Sequence, residues 1–203
     1  MKVFLDMDGV LANLFDRVAQ EIHHKPYKNI TAEEKAEAKK IWSNKKDAAK
    51  FFNHLGGVEH FFATLPTFGD RTQAVVDTAI KVAGEYRICS HPASIDREAS
   101  KKGKITWINK HLSPQPIEMF FPQNKADYAI DRDGTPNILI DDFPPYINAW
   151  RNAGGTAIEM RTDNFNNAQE VKLFLEKELT NAIKTPTKES FDVVIQRLQE
   201  QLN

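Results

Sequence analysis

The chain has 203 residues, 41% apolar and 10% aromatic, which is enough to bury one core and a small appendage and excludes a disordered or fibrous protein. Lys and Arg total 27 against 28 Asp and Glu, so no sequence-wide positive excess exists to draw in nucleic acid, and a small-molecule substrate is the default partner. No window approaches the roughly 18 consecutive apolar residues of a membrane span, and a single cysteine, Cys89, with no apolar leader ahead of the first strand, predicts a reducing, cytoplasmic setting.

In chain order, Lys2-Val-Phe-Leu-Asp6 is a short apolar run ending in acid and glycine, which predicts a buried first strand. More than fifty charge-rich residues then separate Leu14 from Asp70, too many for one crossover helix. Residues 16–69 are therefore expected to form an inserted helical cap, with 1–15 and 70–203 as the core. Within the insert, Thr31-Ala-Glu-Glu34 has capping-box spacing ahead of a helix from Lys35 to Trp42, and Ala48 to Leu55 predicts another, stopped by Gly56-Gly57. Phe51, Phe52, Phe61 and Phe62 read as cap core, and His23 and His24 as surface residues.

Val75, Val76, Ala79, Ile80 and Ala83 predict a helix closed by Gly84. Further strands are expected at Tyr86–Ser90, Ile117–Phe121, Asn137–Asp141 and Thr156–Met160. Pro144 and Pro145 open, and Gly154-Gly155 close, another helix. Asp131-Arg-Asp-Gly134 reads as a turn; Phe165–Leu179 and the apolar series Phe191, Val194, Ile195, Leu198 and Leu202 predict two C-terminal helices. The α/β alternation predicts a Rossmann-like, doubly wound parallel sheet of about five strands, with its ligand site at the strands' C-terminal ends.

Two acidic pairs fall at those ends: Asp6 and Asp8 after the first strand, Asp141 and Asp142 after the fourth. Carboxylates gathered in one cleft repel one another unless a cation is present, and hard oxygen donors suit Mg²⁺. Either pair alone is equally well explained by capping of a helix or turn, but two pairs behind two apolar strands favour the metal site.

Phe4-Leu-Asp-Met-Asp-Gly-Val-Leu-Ala12 resembles the first motif of the haloacid dehalogenase-like phosphohydrolases, and its wording is especially similar to that of the 5'(3')-deoxyribonucleotidases. The resemblance runs in order to about Met160 and includes Phe61-Phe-Ala-Thr-Leu-Pro66, which is similar to the segment leading back from the nucleotidase cap. It implies that Asp6 is the nucleophile and Asp8 the acid/base. Ser90, in Ile88-Cys-Ser-His-Pro92, would bind the phosphoryl group, with His91 beside it where the nucleotidases carry a small hydroxyl residue; a loop histidine without a catalytic role is the plainer reading of His91. Lys125 would stabilise the phosphoryl charge, with Lys104, in another helix of familiar wording, as its rival. Lys101, Lys102 and Lys104 otherwise read as a solvated helix face. The implied metal shell is Asp6, the main-chain carbonyl of Asp8, and Asp142, with Asp141 holding Lys125 or a metal-bound water.

Phe15 and Trp42 stand where nucleotidases place apolar groups against the base, although packing of cap on core accounts for them equally well. The implied activity is a Mg²⁺-dependent phosphomonoesterase acting on nucleoside monophosphates through an aspartyl phosphate. Its alternatives are a phosphatase of another small ester or of nucleic-acid 3' phosphate ends, and a non-catalytic nucleotide-binding protein. Among partners, a homodimer is left open.

Overall fold

The structure, a computed structural model, describes residues 1–184, so the helix expected around Phe191–Leu202 lies outside the described residues. Strands β1 (Val3–Leu5), β2 (Arg87–Cys89), β3 (Met119–Phe120), β4 (Ile138–Asp141) and β5 (Thr156–Glu159) form one all-parallel sheet in the order β3-β2-β1-β4-β5. The five expected strands are all present. Every residue of β1 and β2 is buried, as strands covered on both faces require. The chain winds outward from β1 through β2 to β3, then returns to place β4 on the other side of β1. That reversal is the topological switch point, and the ends of β1 and β4 flank it.

Two compact units divide the chain. The first comprises Met1–Leu11, Phe68–His91 and Ser113 onward, and carries the sheet with helices α5 (Asp70–Ala83), α7 (Pro144–Asn152) and α8 (Ala168–Lys184). Gly84 ends α5 in a left-handed conformation, its N–H bonding the Ile80 carbonyl at 2.8 Å, and two prolines occupy the first turn of α7. Helix α8 begins at Ala168, three residues later than the Phe165 expected, because the Asn167 side chain caps the Glu170 N–H at 3.0 Å and Glu170 reaches back to the Asn166 N–H. In the core of this unit Phe4 packs edge-on against Trp150 with ring centroids 5.5 Å apart, while the Trp150 indole donates to the Asn137 carbonyl. Asp131–Gly134 is a turn, closed by the Gly134 N–H on the Asp131 carbonyl.

The second unit comprises Ala12–Thr67 with Pro92–Leu112, and holds α1 (Leu14–His23), α2 (Ala32–Ser43), α3 (Lys45–His54), α4 (Val58–Ala63) and α6 (Arg97–His111). Thr31 and Glu34 form the expected reciprocal cap of α2, at 2.8 and 3.3 Å. Phe51, Phe52 and Phe61 pack edge to face, with Phe62 joined to Phe61 at 5.2 Å, and Phe52, Phe61 and Phe62 are buried. Helix α6 crosses α4 closely at Gly103, where a Cβ would stand 2.3 Å from the Glu59 carbonyl oxygen. The ends of the insert are tied together by an antiparallel bridge between Ala12 and Thr67 and by the Asn13 N–H on the Pro66 carbonyl.

Candidate active site

Asp6 follows β1 directly, its N–H bonded to the Ile140 carbonyl of β4, so the parallel register puts Asp6 beside Asp141 at the switch point. Ser90, fully buried, follows β2 on the other side of β1. Lys125 opens a single 3₁₀ turn, Lys125–Tyr128, in which the Asn124 side chain caps the Ala126 N–H. Its Nζ lies 2.8 Å from Asp6 Oδ1 and 2.6 Å from Asp141 Oδ2. Burial alone would lower the pKa of that ammonium, but Asp6 and Asp141 outweigh it and hold Lys125 well above the ordinary lysine value.

The carboxylates of Asp6, Asp141 and Asp142 each bring an oxygen within 4.8 Å of the others, the spacing of a metal-binding trio among the described residues. Both oxygens of Asp141 are occupied, Oδ2 by Lys125 and Oδ1 by the Phe143 N–H at 2.9 Å. Burial, followed by Asp6, keeps Asp141 above the usual carboxylate range. Asp142 is pushed up to about 8 by burial and by Asp6 and Asp141, with Arg161 opposing. More negative charge is therefore collected here than Lys125 neutralises, and hard carboxylate donors in that excess fit a divalent cation.

The loop after β1 is held from several sides. Leu11 N–H returns to the Met7 carbonyl at 2.8 Å, Thr72 Oγ1 donates to the Leu11 carbonyl at 2.8 Å, and Thr162 Oγ1 donates to the Val10 carbonyl at 2.6 Å. Gly9 has φ +79°, and a Cβ there would fall 2.4 Å from Asp142 Oδ2. Glycine is thus required twice over, by the left-handed backbone and by the second acidic pair. Sequence reasoning missed Thr72, Thr162, Arg161 and Tyr146. Only Tyr146 carries a local signal, standing one helical turn after Asp142 at the start of α7.

The remaining expected residues are distributed as follows. His91 packs its ring against Tyr146, centroids 5.7 Å apart. Lys104 is fully buried on α6 of the second unit, its Nζ 5.0 Å from the centre of the Phe62 ring. It is therefore not the solvated residue its basic neighbours suggest. Phe15, also of the second unit, lies 5.3 Å from Tyr27 and lines an apolar cavity with Leu14, Val18 and Ile30. Trp42 falls on α2, with its side chain outside the described residues.

The raised Asp142 gives a pH dependence whose sign follows from linkage. A carboxyl that binds its proton more tightly when folded contributes most stability below its unfolded value and loses it as pH rises toward the folded value, here about 8. With divalent ions chelated, Asp142→Asn is expected to melt above the parent at pH 8, by about 2–4 °C for each kcal/mol of relieved repulsion, and the gap should close toward pH 5. Thermal unfolding of both proteins across that range checks it; equal melting curves at pH 8 would refute the burial of excess charge.

No curated protein sequence matches the chain. A hydrolase from Streptococcus pneumoniae TIGR4 is similar in structure at 16% identity and a TM-score of 0.44, covering 86% of this chain and 97% of that one. A phosphonoacetaldehyde hydrolase like protein from Oleispira antarctica is similar at 12% identity and a TM-score of 0.43, covering 96% and 92%. Neither likeness is needed for the fold, which the sheet itself displays. Residues 1–172 match the family described as 5' nucleotidase, deoxy (pyrimidine), cytosolic type C protein (NT5C), and the chain thus belongs to this family of haloacid dehalogenase-like phosphoric monoester hydrolases.

Proposed function

We propose that the protein hydrolyses nucleoside monophosphates, deoxyribonucleotides foremost, through a covalent phosphoryl-enzyme on Asp6. The observation that carries this is Lys125 bridging Asp6 and Asp141 beside Asp142, at the switch point of a chain from a nucleotidase family. An Asp6 carboxylate oxygen attacks phosphorus while the ester P–O bond breaks, and Asp8, entering as the acid, gives its proton to the leaving alkoxide. Asp8, now a carboxylate, takes a proton from water, whose oxygen attacks the same phosphorus; the Asp6–phosphorus bond breaks and inorganic phosphate leaves.

Ser90, with His91 beside it, holds the phosphoryl oxygens, and Lys125, in preference to its rival Lys104, neutralises the charge spread over the transferring group. Asp141 keeps Lys125 in place. Asp6, Asp142 and the Asp8 carbonyl would hold Mg²⁺, which supplies charge neutralisation and polarises the phosphoryl oxygens. Phe15 and Trp42 are the residues we assign to the base, stacking being the physical basis. A buried, free Cys89 accords with work in a reducing cytoplasm, and no helix among the described residues is long and apolar enough to cross a membrane.

Phosphate release should be followed with Mg²⁺ and with EDTA across 5' and 3' deoxy- and ribonucleoside monophosphates, sugar phosphates, phosphoglycolate and a 3'-phosphorylated oligonucleotide. Metal-dependent release from deoxynucleoside monophosphates above the other esters is the expected result. Preference for a sugar phosphate, or for the oligonucleotide with steep salt inhibition, would replace the nucleotide reading; nucleotide binding without turnover would replace catalysis.

A further inference from the structure

We infer that Tyr146 is a positioning residue for Lys125, its ring face fixing the ammonium where the transferring phosphoryl group needs it. This rests on the reading of Lys125 as the phosphoryl-stabilising cation. Lys125 Nζ lies 4.6 Å from the centre of the Tyr146 ring, inside cation–π range, as well as 2.8 Å from Asp6 and 2.6 Å from Asp141. Two carboxylates leave a four-carbon stem free to pivot about the line between them, whereas a third attractive surface removes that freedom. Electrostatic stabilisation of a transition state depends on charges already in place before reaction, so a wandering ammonium lowers turnover even when its ion pairs survive.

The ring itself is held. Tyr146 sits in the first turn of α7, its N–H on the Phe143 carbonyl at 3.0 Å. Phe143 meets it edge-on at 5.1 Å, and His91 lies against it at 5.7 Å. His91 thereby acquires a structural role, bracing the tyrosine that covers the lysine. Phe143, 48% exposed, carries the aromatic wall outward to solvent.

The test compares Tyr146→Phe, which keeps the ring, with Tyr146→Leu, which keeps apolar bulk without it. Tyr146→Phe should retain kcat, and Tyr146→Leu should lose about tenfold or more in kcat with KM for the ester little changed. In a Lys125→Met background, Tyr146→Leu should cost nothing further. Equal kcat in Tyr146→Leu and the parent overturns the inference, and so does an equal loss in Tyr146→Phe, which would assign the effect to the hydroxyl. A readout independent of turnover is the NMR shift of the Lys125 ε-methylene, expected upfield from the ring current in the parent and in Tyr146→Phe, and restored to the ordinary lysine position in Tyr146→Leu. Absence of that upfield shift in the parent overturns the inference whatever the activity; its presence in a parent that cleaves no ester would instead refute the proposed hydrolysis.

Discussion

Asp6→Asn is expected to abolish phosphate release, by on the order of 10⁴-fold or more, while leaving the protein folded. A carboxamide has nearly the shape of a carboxylate but is too weak a nucleophile to displace an alkoxide from phosphorus. The fold should survive for an electrostatic reason. Removing one negative charge from the trio of Asp6, Asp141 and Asp142 relieves a repulsion that raises both of the others, and Lys125 keeps its bond to Asp141. Phosphate release and thermal melting of the same preparation check the two halves. Turnover within tenfold of the parent would remove Asp6 from the nucleophile's role, and a collapsed melting curve would show that its charge is needed for folding.

Lys125→Met carries the second large effect, on stability and activity together. The lysine is fully buried, and removing it strands Asp6 and Asp141 in the interior without their counter-ion. Breaking a buried pair in this way costs about 3–5 kcal/mol, or about 6–20 °C in a chain of this size. The deficit should depend on pH. Asp141 is raised already, and loss of Lys125 raises it further, so the folded variant keeps that proton to a higher pH than the parent. The deficit is therefore smallest near or below about pH 4, where the carboxyl is protonated in both states, and widens as pH rises. Melting curves at several pH values check this, and a deficit independent of pH would mean that the lysine stem, through its packing, matters more than its charge.

Strands β1, β2 and β4 were legible because each is a short apolar run with polar residues at its end, a pattern that burial on both faces imposes on a parallel sheet. The two acidic pairs were legible for the same reason, since they stop those runs. Helix ends were legible where capping chemistry is local, as at Gly84 and at Thr31 with Glu34. What could not be read was whatever depends on distant segments meeting. Thr162 grips the Val10 carbonyl across 152 positions of sequence, and nothing in either segment announces the other. Gly9 reads as a turn residue, but its contact with Asp142 exists only once β1 and β4 lie side by side. Lys104 shows the opposite failure: its basic neighbours suggested a solvated face, whereas α6 turns it into the interior beside Phe62.

The bridge between Ala12 and Thr67 makes the insert a cassette. Because the chain departs and returns through paired neighbours, everything from Asn13 to Pro66 begins and ends at one point, as the tip of a hairpin does. Such a segment is open to exchange between relatives without disturbing strand register. The exchange has one condition, set by the Gly103 crossing: α6 is fitted to α4, with Trp107 donating to the Leu65 carbonyl, so it must travel with the cassette. A graft of residues 13–66 alone would leave a helix shaped for an absent neighbour, whereas a graft of both segments moves a complete module.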